Sequence, residues 1–236
     1  MEEQKTEMLR GMLCERLHAY RVLQFALGSD PTEEFLATFF SEATEGVLRT
    51  AASVGAEGFE SALALWESCK TEYESDEKAY LEACTSRYTK LFVGPGELAA
   101  APWECVYLSG ERMLFQASTL AVRDAYRAAG FKAAGYPHVS DDHIAIELDF
   151  MARLAERSLK TFDANDGDEY ERTLTLQADF LSEHLLVWAG DYAADLSQAA
   201  EGTLYEAVGA LLSAMLPFDA TLLDELREAG LSNQSA

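Results

Sequence analysis

Basic residues are scarce in this chain. Eighteen Lys and Arg stand against forty-one Asp and Glu in 236 residues, a formal net charge of -23. That balance excludes a general electrostatic grip on DNA, RNA or anionic lipid. It favours a basic partner, or simply high solubility. Cysteine is also rare. Cys14, Cys69, Cys84 and Cys105 form no CxxC pair, so neither a zinc ribbon nor a thioredoxin-type centre is indicated. They read as reduced, mostly buried thiols of a cytoplasmic protein. Five prolines and fifteen glycines exclude collagen-like and linker-rich chains. Long apolar runs are missing as well. The most apolar stretch, Ala207 to Phe218, contains Ser213 and has twelve residues, where a bilayer span needs about 20. No stable membrane insertion is expected. The opening MEEQKTEMLR has no apolar core and does not read as a secretory signal.

What is present is a core and helical periodicity. Hydrophobic residues make up 49%, which excludes general disorder. A chain of this length buries roughly 70% of the surface its unfolded form exposes. Met8, Leu9, Met12, Leu13, Leu17, Tyr20 and Leu23 follow the three-four spacing of an amphipathic helix that Gly28 ends. Asp30, Pro31 and Glu33 form a start signal with Asp30 as cap, before the apolar face Phe35, Leu36, Phe39 and Phe40. Phe59, Leu63 and Trp66 continue after Gly58. Ser75 and Asp76 open a helix carrying Tyr80, Cys84, Tyr88, Leu91 and Phe92, stopped by Val93 to Gly96. Further helices are expected over 118–129, 141–160 and from Asp166 to about Gly190. Thr203 and Glu206 resemble a capping box before Val208, Leu211, Leu212 and Met215. Pro217 is expected to end that helix, and 219–228 to form a short last one. No strand alternation or hairpin signal appears. The class is all-α, about ten helices, one domain over 1–236, with a candidate seam at Val93–Cys105.

Two loops carry unusual residues: 93–105 (VGPGELAAAPWEC) and 131–140 (FKAAGYPHVS). The first is long for a helix connection, and loops of that length are usually functional or disordered. In the first, Trp103 follows Pro102, with Glu104 and Tyr107 behind it. A Trp beside Pro suits a peptide anchor, and it equally suits a core plug. After the second loop, Asp141, Asp142, His143 and Glu147 open a helix. An Asp there can cap and complement the dipole. His143 and Glu147, four apart, suit a shared hydrogen bond or two metal ligands, but no further ligand pair completes a metal site. His18, His138 and His184 offer no ligand spacing. DANDGD at 163–168 fails the calcium-loop register. No phosphate loop, dinucleotide fingerprint or nucleophile elbow is present.

At these residues the chain resembles a known family. Tyr88-x-x-Leu91-Phe92, Gly94-Pro95-Gly96 and Pro102-Trp103-Glu104-x-x-Tyr107 are similar to the first signature of the TorD/DmsD family of redox-enzyme maturation chaperones, related to the NarJ group. Val122-Arg123-x-x-Tyr126 resembles the helix that follows. Asp141-Asp142-His143-Ile144-x-x-Glu147-Leu148-x-Phe150-Met151 is similar to the second signature, although Ser140 stands where the family often has Pro. Phe180-x-x-x-His184-Leu185-x-x-Trp188 and Tyr205 resemble the C-terminal pattern. The resemblance implies an all-helical, TorD-like fold and a cytoplasmic chaperone without catalytic residues, cofactor or metal. It implies binding of the twin-arginine signal peptide of a molybdenum-cofactor oxidoreductase, of dimethyl sulfoxide or trimethylamine N-oxide reductase type, before export. Carried over residue by residue, the peptide-binding region comprises Pro102, Trp103, Glu104, Tyr107, Asp142 and His143. No nucleic acid is expected as a partner, and the protein is expected to be a monomer or dimer. A different class of reading stays open beside it: a nucleotide- or metal-dependent enzyme using Asp142, His143 and Glu147. A receptor for two guanidinium groups and an apolar segment should offer carboxylates beside an apolar groove.

Overall fold

The computed structural model describes residues 2–95, 97–109, 117–133 and 140–234. Among them are eleven α-helices and two π-helical turns. The first π-turn, Thr89–Val93, extends α5 (Glu77–Tyr88). The second, Leu181–Leu185, fuses α9 (Gly167–Phe180) to α10 (Leu186–Ala199), which leaves ten continuous rods. The all-α expectation holds among these residues, where the one β-type pairing is an isolated bridge between Trp103 and His143.

The centre is built by three long helices. α1 (Glu2–Gly28) lies along α8 (Ile144–Asp163), and α11 (Leu204–Gln234) packs against α10, α4 (Phe59–Ser75), α9 and α1. Their three-four stripes meet in one contiguous apolar cluster that runs from Leu9 to Leu226. Each fully buried Leu or Phe contributes about 1.5–3 kcal/mol. The end of α1 comes so close to the start of α8 that a Cβ on Gly28 would sit 2.7 Å from the Ala145 Cβ. Only a residue without a side chain fits that crossing.

Helix starts follow the side-chain oxygens, with one shift. Thr32, not Asp30, caps α2 (Glu33–Phe39): its Oγ1 accepts from the Phe35 N–H at 3.1 Å. A cap must directly precede the first helical residue, and Asp30 lies two places too early. Ser41 caps α3 (Glu42–Ser53) and Asp76 caps α5 as expected. The DANDGD segment is a turn: Asn165 has φ 54°, Asp166 caps α9, and Asp163 pairs with Arg10 at 2.8 Å. The 203–206 box is half formed. Glu206 Oε2 accepts from the Gly202 N–H at 2.6 Å, while Thr203 Oγ1 donates back to the Ala200 carbonyl.

Pro217 does not end its helix; α11 continues through it to Gln234. An interior proline removes one backbone bond and crowds the preceding turn, at about 3 kcal/mol. Tertiary contacts just beyond it offset that cost. Asp219 is sealed in the interior on Arg16 (2.5 Å) and Tyr20 (2.6 Å), and Leu223 and Leu226 are buried. The apolar stretch is therefore longer than the expected twelve residues. Leu204–Ala229 is long and apolar enough by composition to cross a bilayer, yet more than half of its most apolar window is buried inside the protein.

Candidate functional site

The 93–105 segment ends in a short helix, α6 (Glu104–Ser109), and α7 (Ala117–Ala128) follows. The start of α6 is stitched to the start of α8 by two backbone bonds. The Ile144 N–H donates to the Pro102 carbonyl at 2.9 Å, and the Glu104 N–H donates to the Asp142 carbonyl at 3.0 Å. This exchange is the Trp103–His143 bridge. It sets the two side chains next to each other, with ring centroids 5.7 Å apart and nearly perpendicular. Edge-to-face geometry of this kind is the favoured aromatic arrangement.

The six expected site residues divide by accessibility. Pro102, Glu104 and Asp142 are buried, whereas Trp103, Tyr107 and His143 keep part of their surface exposed. Asp142 is fully enclosed. One carboxyl oxygen accepts from the Cys105 N–H at 3.0 Å, the other from the Ser140 hydroxyl. It thus serves the start of α6 rather than capping α8. The cap of α8 is His143, whose Nδ1 accepts from the Ala145 N–H at 3.1 Å. An imidazole nitrogen meets the same need as an Asp oxygen: an acceptor aimed at an orphan N–H. Ser140, at the place where a proline is common, supplies a donor that proline lacks.

Arg123 and Tyr126 on α7 hold the same turn from the other side. Arg123 Nε bonds Asp141 at 2.5 Å, and the Tyr126 hydroxyl donates to the Asp141 carbonyl at 3.0 Å. Below the bridge lie two interior carboxyls. Glu104 faces His184 Nδ1 at 3.2 Å, and Glu147 accepts from the Trp188 indole N–H at 3.3 Å. Each keeps one oxygen without a partner among the described residues. Burial pushes the Glu147 carboxyl well above its usual range, and the neighbouring Glu104 adds to the push. His184 belongs to the π-turn and is buried there with Leu181 and Leu185, a turn type often found at functional sites. The three sequence signatures therefore converge on one buried polar network.

His143 and Glu147 do not share the hydrogen bond their spacing suggests. The first sits outside the helix as its cap, and the second points inward to Trp188. No group of three or more His, Cys, Asp or Glu among the described residues could hold a metal. With Asp142 and Glu147 sealed, the enzyme reading has no accessible acid-base pair. Burial, opposed weakly by Asp142, lowers the His143 pKa to about 4. The ring is neutral at pH 7, and with Nδ1 accepting, Nε2 carries the proton.

Beside His143 opens a cleft of about 600 Å³ lined by Phe131, Phe150, Ile146, Lys132, Asp149 and Arg153. Asp149 is its one carboxylate among the described lining residues, held at 2.7 Å by Arg153. Sequence reasoning missed Asp149, because a charged residue on the outer face of a helix carries no signal of its own. Tyr107 lies on the other side of the bridge, 5.5 Å from Trp188, with its hydroxyl donating to Asp195. Residues 134–139 of the second loop, with Pro137 and His138, and Gly96 of the first lie outside the described residues.

Comparison with known proteins gives the family of the chain. Residues 50–194 match the family described as nitrate reductase delta subunit. The match covers more than half of the chain, and the chain belongs to that family, the NarJ/TorD family. It is similar to the probable Tat proofreading chaperone DmsD of Haemophilus influenzae, 32% identical over 135 residues, 57% of this chain and 59% of the relative. It is also similar to the chaperone protein TorD of Vibrio cholerae, 30% identical over 139 residues, 59% of this chain and 61% of the relative. A third relative is the Tat proofreading chaperone DmsD of Salmonella typhimurium, 29% identical over 130 residues, 55% and 57% of the two chains. The matched stretch spans about three fifths of the length of these relatives.

Proposed function

We propose that this chain is a cytoplasmic chaperone that binds the twin-arginine signal peptide of a molybdenum-cofactor oxidoreductase precursor and assists its maturation before export. It acts without catalytic chemistry, without a resident cofactor or metal, and without stable membrane insertion, as a monomer or dimer. The observation that carries this reading is the bridge that sets a half-buried Trp103 against His143, which lines an open cleft. The names of the relatives, proofreading chaperones of the Tat system, support it.

The six residues take unequal parts. Trp103 and Tyr107 supply apolar contact for the hydrophobic segment of the leader. His143 lines the cleft and offers a neutral N–H donor to a peptide carbonyl. Pro102, Glu104 and Asp142 act from inside, fixing the loop that carries Trp103. The peptide's arginine goes instead to Asp149, exchanging places with Arg153, since a guanidinium exchanged for a guanidinium keeps the carboxylate paired.

The test is a titration of a labelled twin-arginine peptide at several salt concentrations. Trp103→Ala removes an aromatic anchor, about 2 kcal/mol, so affinity should fall roughly thirtyfold. Asp149→Asn should weaken binding and flatten its salt dependence. Unchanged affinity in both variants would sink the assignment of this face.

A further inference from the structure

A second groove lies on the opposite end of α1. It is bounded by α1, α3, α4 and α11, holds about 350 Å³, and is largely apolar. Met8, Met12 and Met215 line it together with Val54, Phe59 and Phe218. Met8 and Val54 are 59% and 68% exposed, and Val54 is the most open large apolar side chain in the described residues. Along α1, Met12 is sixteen residues from Gly28 at the His143 face, about 24 Å at the helical rise. The groove shares no residue with the signatures.

Three polar groups here are left with work undone. Arg16 is buried beneath the groove, with Nε and Nη2 held by Asp219 and Gln177, yet its Nη1 has no partner among the described residues. Glu15 and Glu225 line the groove, and neither has an ion-pair partner among the described residues. Glu15 is partly buried, and that burial raises its pKa. Among the described residues no cation other than the committed Arg16 lines the walls. Packing alone does not call for unpaired carboxylates beside an exposed Met8 and a half-buried Met12. Methionine, flexible and polarizable, recurs where one surface accepts varied apolar side chains. A cavity of about 150 Å³ takes one benzene-sized group, so this groove has room for about two such side chains, the anchors of one helix face at i and i+4.

We propose that this groove is a second peptide-docking site, taking an amphipathic helix whose apolar face enters between Met8, Met12, Val54 and Met215 and whose flanking Lys or Arg pairs with Glu15 and Glu225. This site is independent of the leader-binding face, and its occupant is a segment other than the twin-arginine leader.

The probe is a labelled leucine–lysine peptide of about 15 residues with amphipathic helical spacing, with a leucine–glutamate peptide of the same pattern as control. The full-length protein should bind the first and not the second in fluorescence anisotropy. Val54→Lys, an exposed change that the fold tolerates, should weaken binding at least about tenfold, and Glu15→Gln should weaken it less. Trp103→Ala should leave it unchanged while weakening the twin-arginine peptide, and Val54→Lys should leave the twin-arginine peptide unchanged. Equal binding of both probes, or binding indifferent to Val54→Lys, overturns the proposal. So does a concentration-dependent dimer in sedimentation that Val54→Lys dissolves, because the groove would then seat a second copy of this chain.

Discussion

Asp142 is the residue at which a binding role and a structural role make opposite predictions. Its side chain is fully enclosed and accepts from the Cys105 N–H and the Ser140 hydroxyl. Asp142→Ala removes both acceptors at once and leaves a buried N–H at the start of α6. A hydrogen bond to a charged group is worth about 1.5–3 kcal/mol, so the loss should total about 3–5 kcal/mol. With a urea m-value near 2 kcal/mol/M, the unfolding midpoint should fall by about 1.5–2.5 M. Asp142→Asn should cost only about 1 kcal/mol: the amide oxygen still accepts from Cys105, and the Ser140 hydroxyl rotates to accept from the amide. Affinity for a twin-arginine peptide, and its slope with salt, should survive in the Asn variant. Urea unfolding beside the peptide titration separates the cases. An Asn variant of native stability with weakened, salt-flattened binding would show that Asp142 meets an arginine and would refute the enclosed role.

Four further outcomes follow from the interior. Glu147 has its pKa raised by burial, so its contribution to stability is full below the ordinary 4.5 and is lost as pH rises toward its folded value. Glu147→Gln should therefore raise the melting temperature at pH 8 and remove a slope of at most about 1.4 kcal/mol per pH unit. His143 titrates in the other sense: its folded pKa is about 4 against 6.5, so stability should drop as pH falls from 6.5 toward 4, and His143→Asn, which keeps a capping acceptor, should flatten that limb. Asp219→Ala strands Arg16 and Tyr20 in the core and should cost about 3–5 kcal/mol in chemical denaturation. In thiol labelling of the native protein Cys14 should react first, since Cys69, Cys84 and Cys105 are buried, and burial pushes the Cys84 and Cys105 thiols up to about 12.

The periodic part of this fold is legible in the chain, and the crossings are not. The stripe Ile144, Leu148, Met151 and Ala155 predicts α8, because a 3.6-residue period needs only local sequence. The continuation of α11 through Pro217 does not follow from local rules, since it depends on an ion pair between residues 203 positions apart. The cap of α8 is misplaced for a related reason. Asp141 and Asp142 are better caps than His143 by preference, yet tertiary partners claim both: Arg123 takes the first and the start of α6 takes the second. The resemblance of the signatures points to Trp103 and His143 together. That they form one bridge, with Glu104 on His184 and Glu147 on Trp188 beneath it, is a matter of tertiary contact that no spacing encodes.

Charge enters this picture in two separate ways. The net charge of -23 suggests carboxylates waiting for arginine, and the sequence offers Glu104 and Asp142 at the right loop. Both are enclosed, and a peptide guanidinium could reach them only by breaking the bonds that shape the loop. Their role is geometric, and attraction falls to exposed groups. A diffuse negative field speeds encounter over about a Debye length, near 8 Å at physiological salt, and does not fix register. Register needs a carboxylate at the cleft, and among the described residues Asp149 is the one that lines it. Since Asp149 is already held by Arg153, the peptide's arginine gains only the difference between a contact in the cleft and an exposed pair on one helix, so it adds to the apolar anchor and cannot replace it. On this account selectivity for a twin-arginine leader rests on its apolar segment meeting Trp103 at the same time as an arginine meets Asp149, and a peptide with only one of the two features should bind weakly.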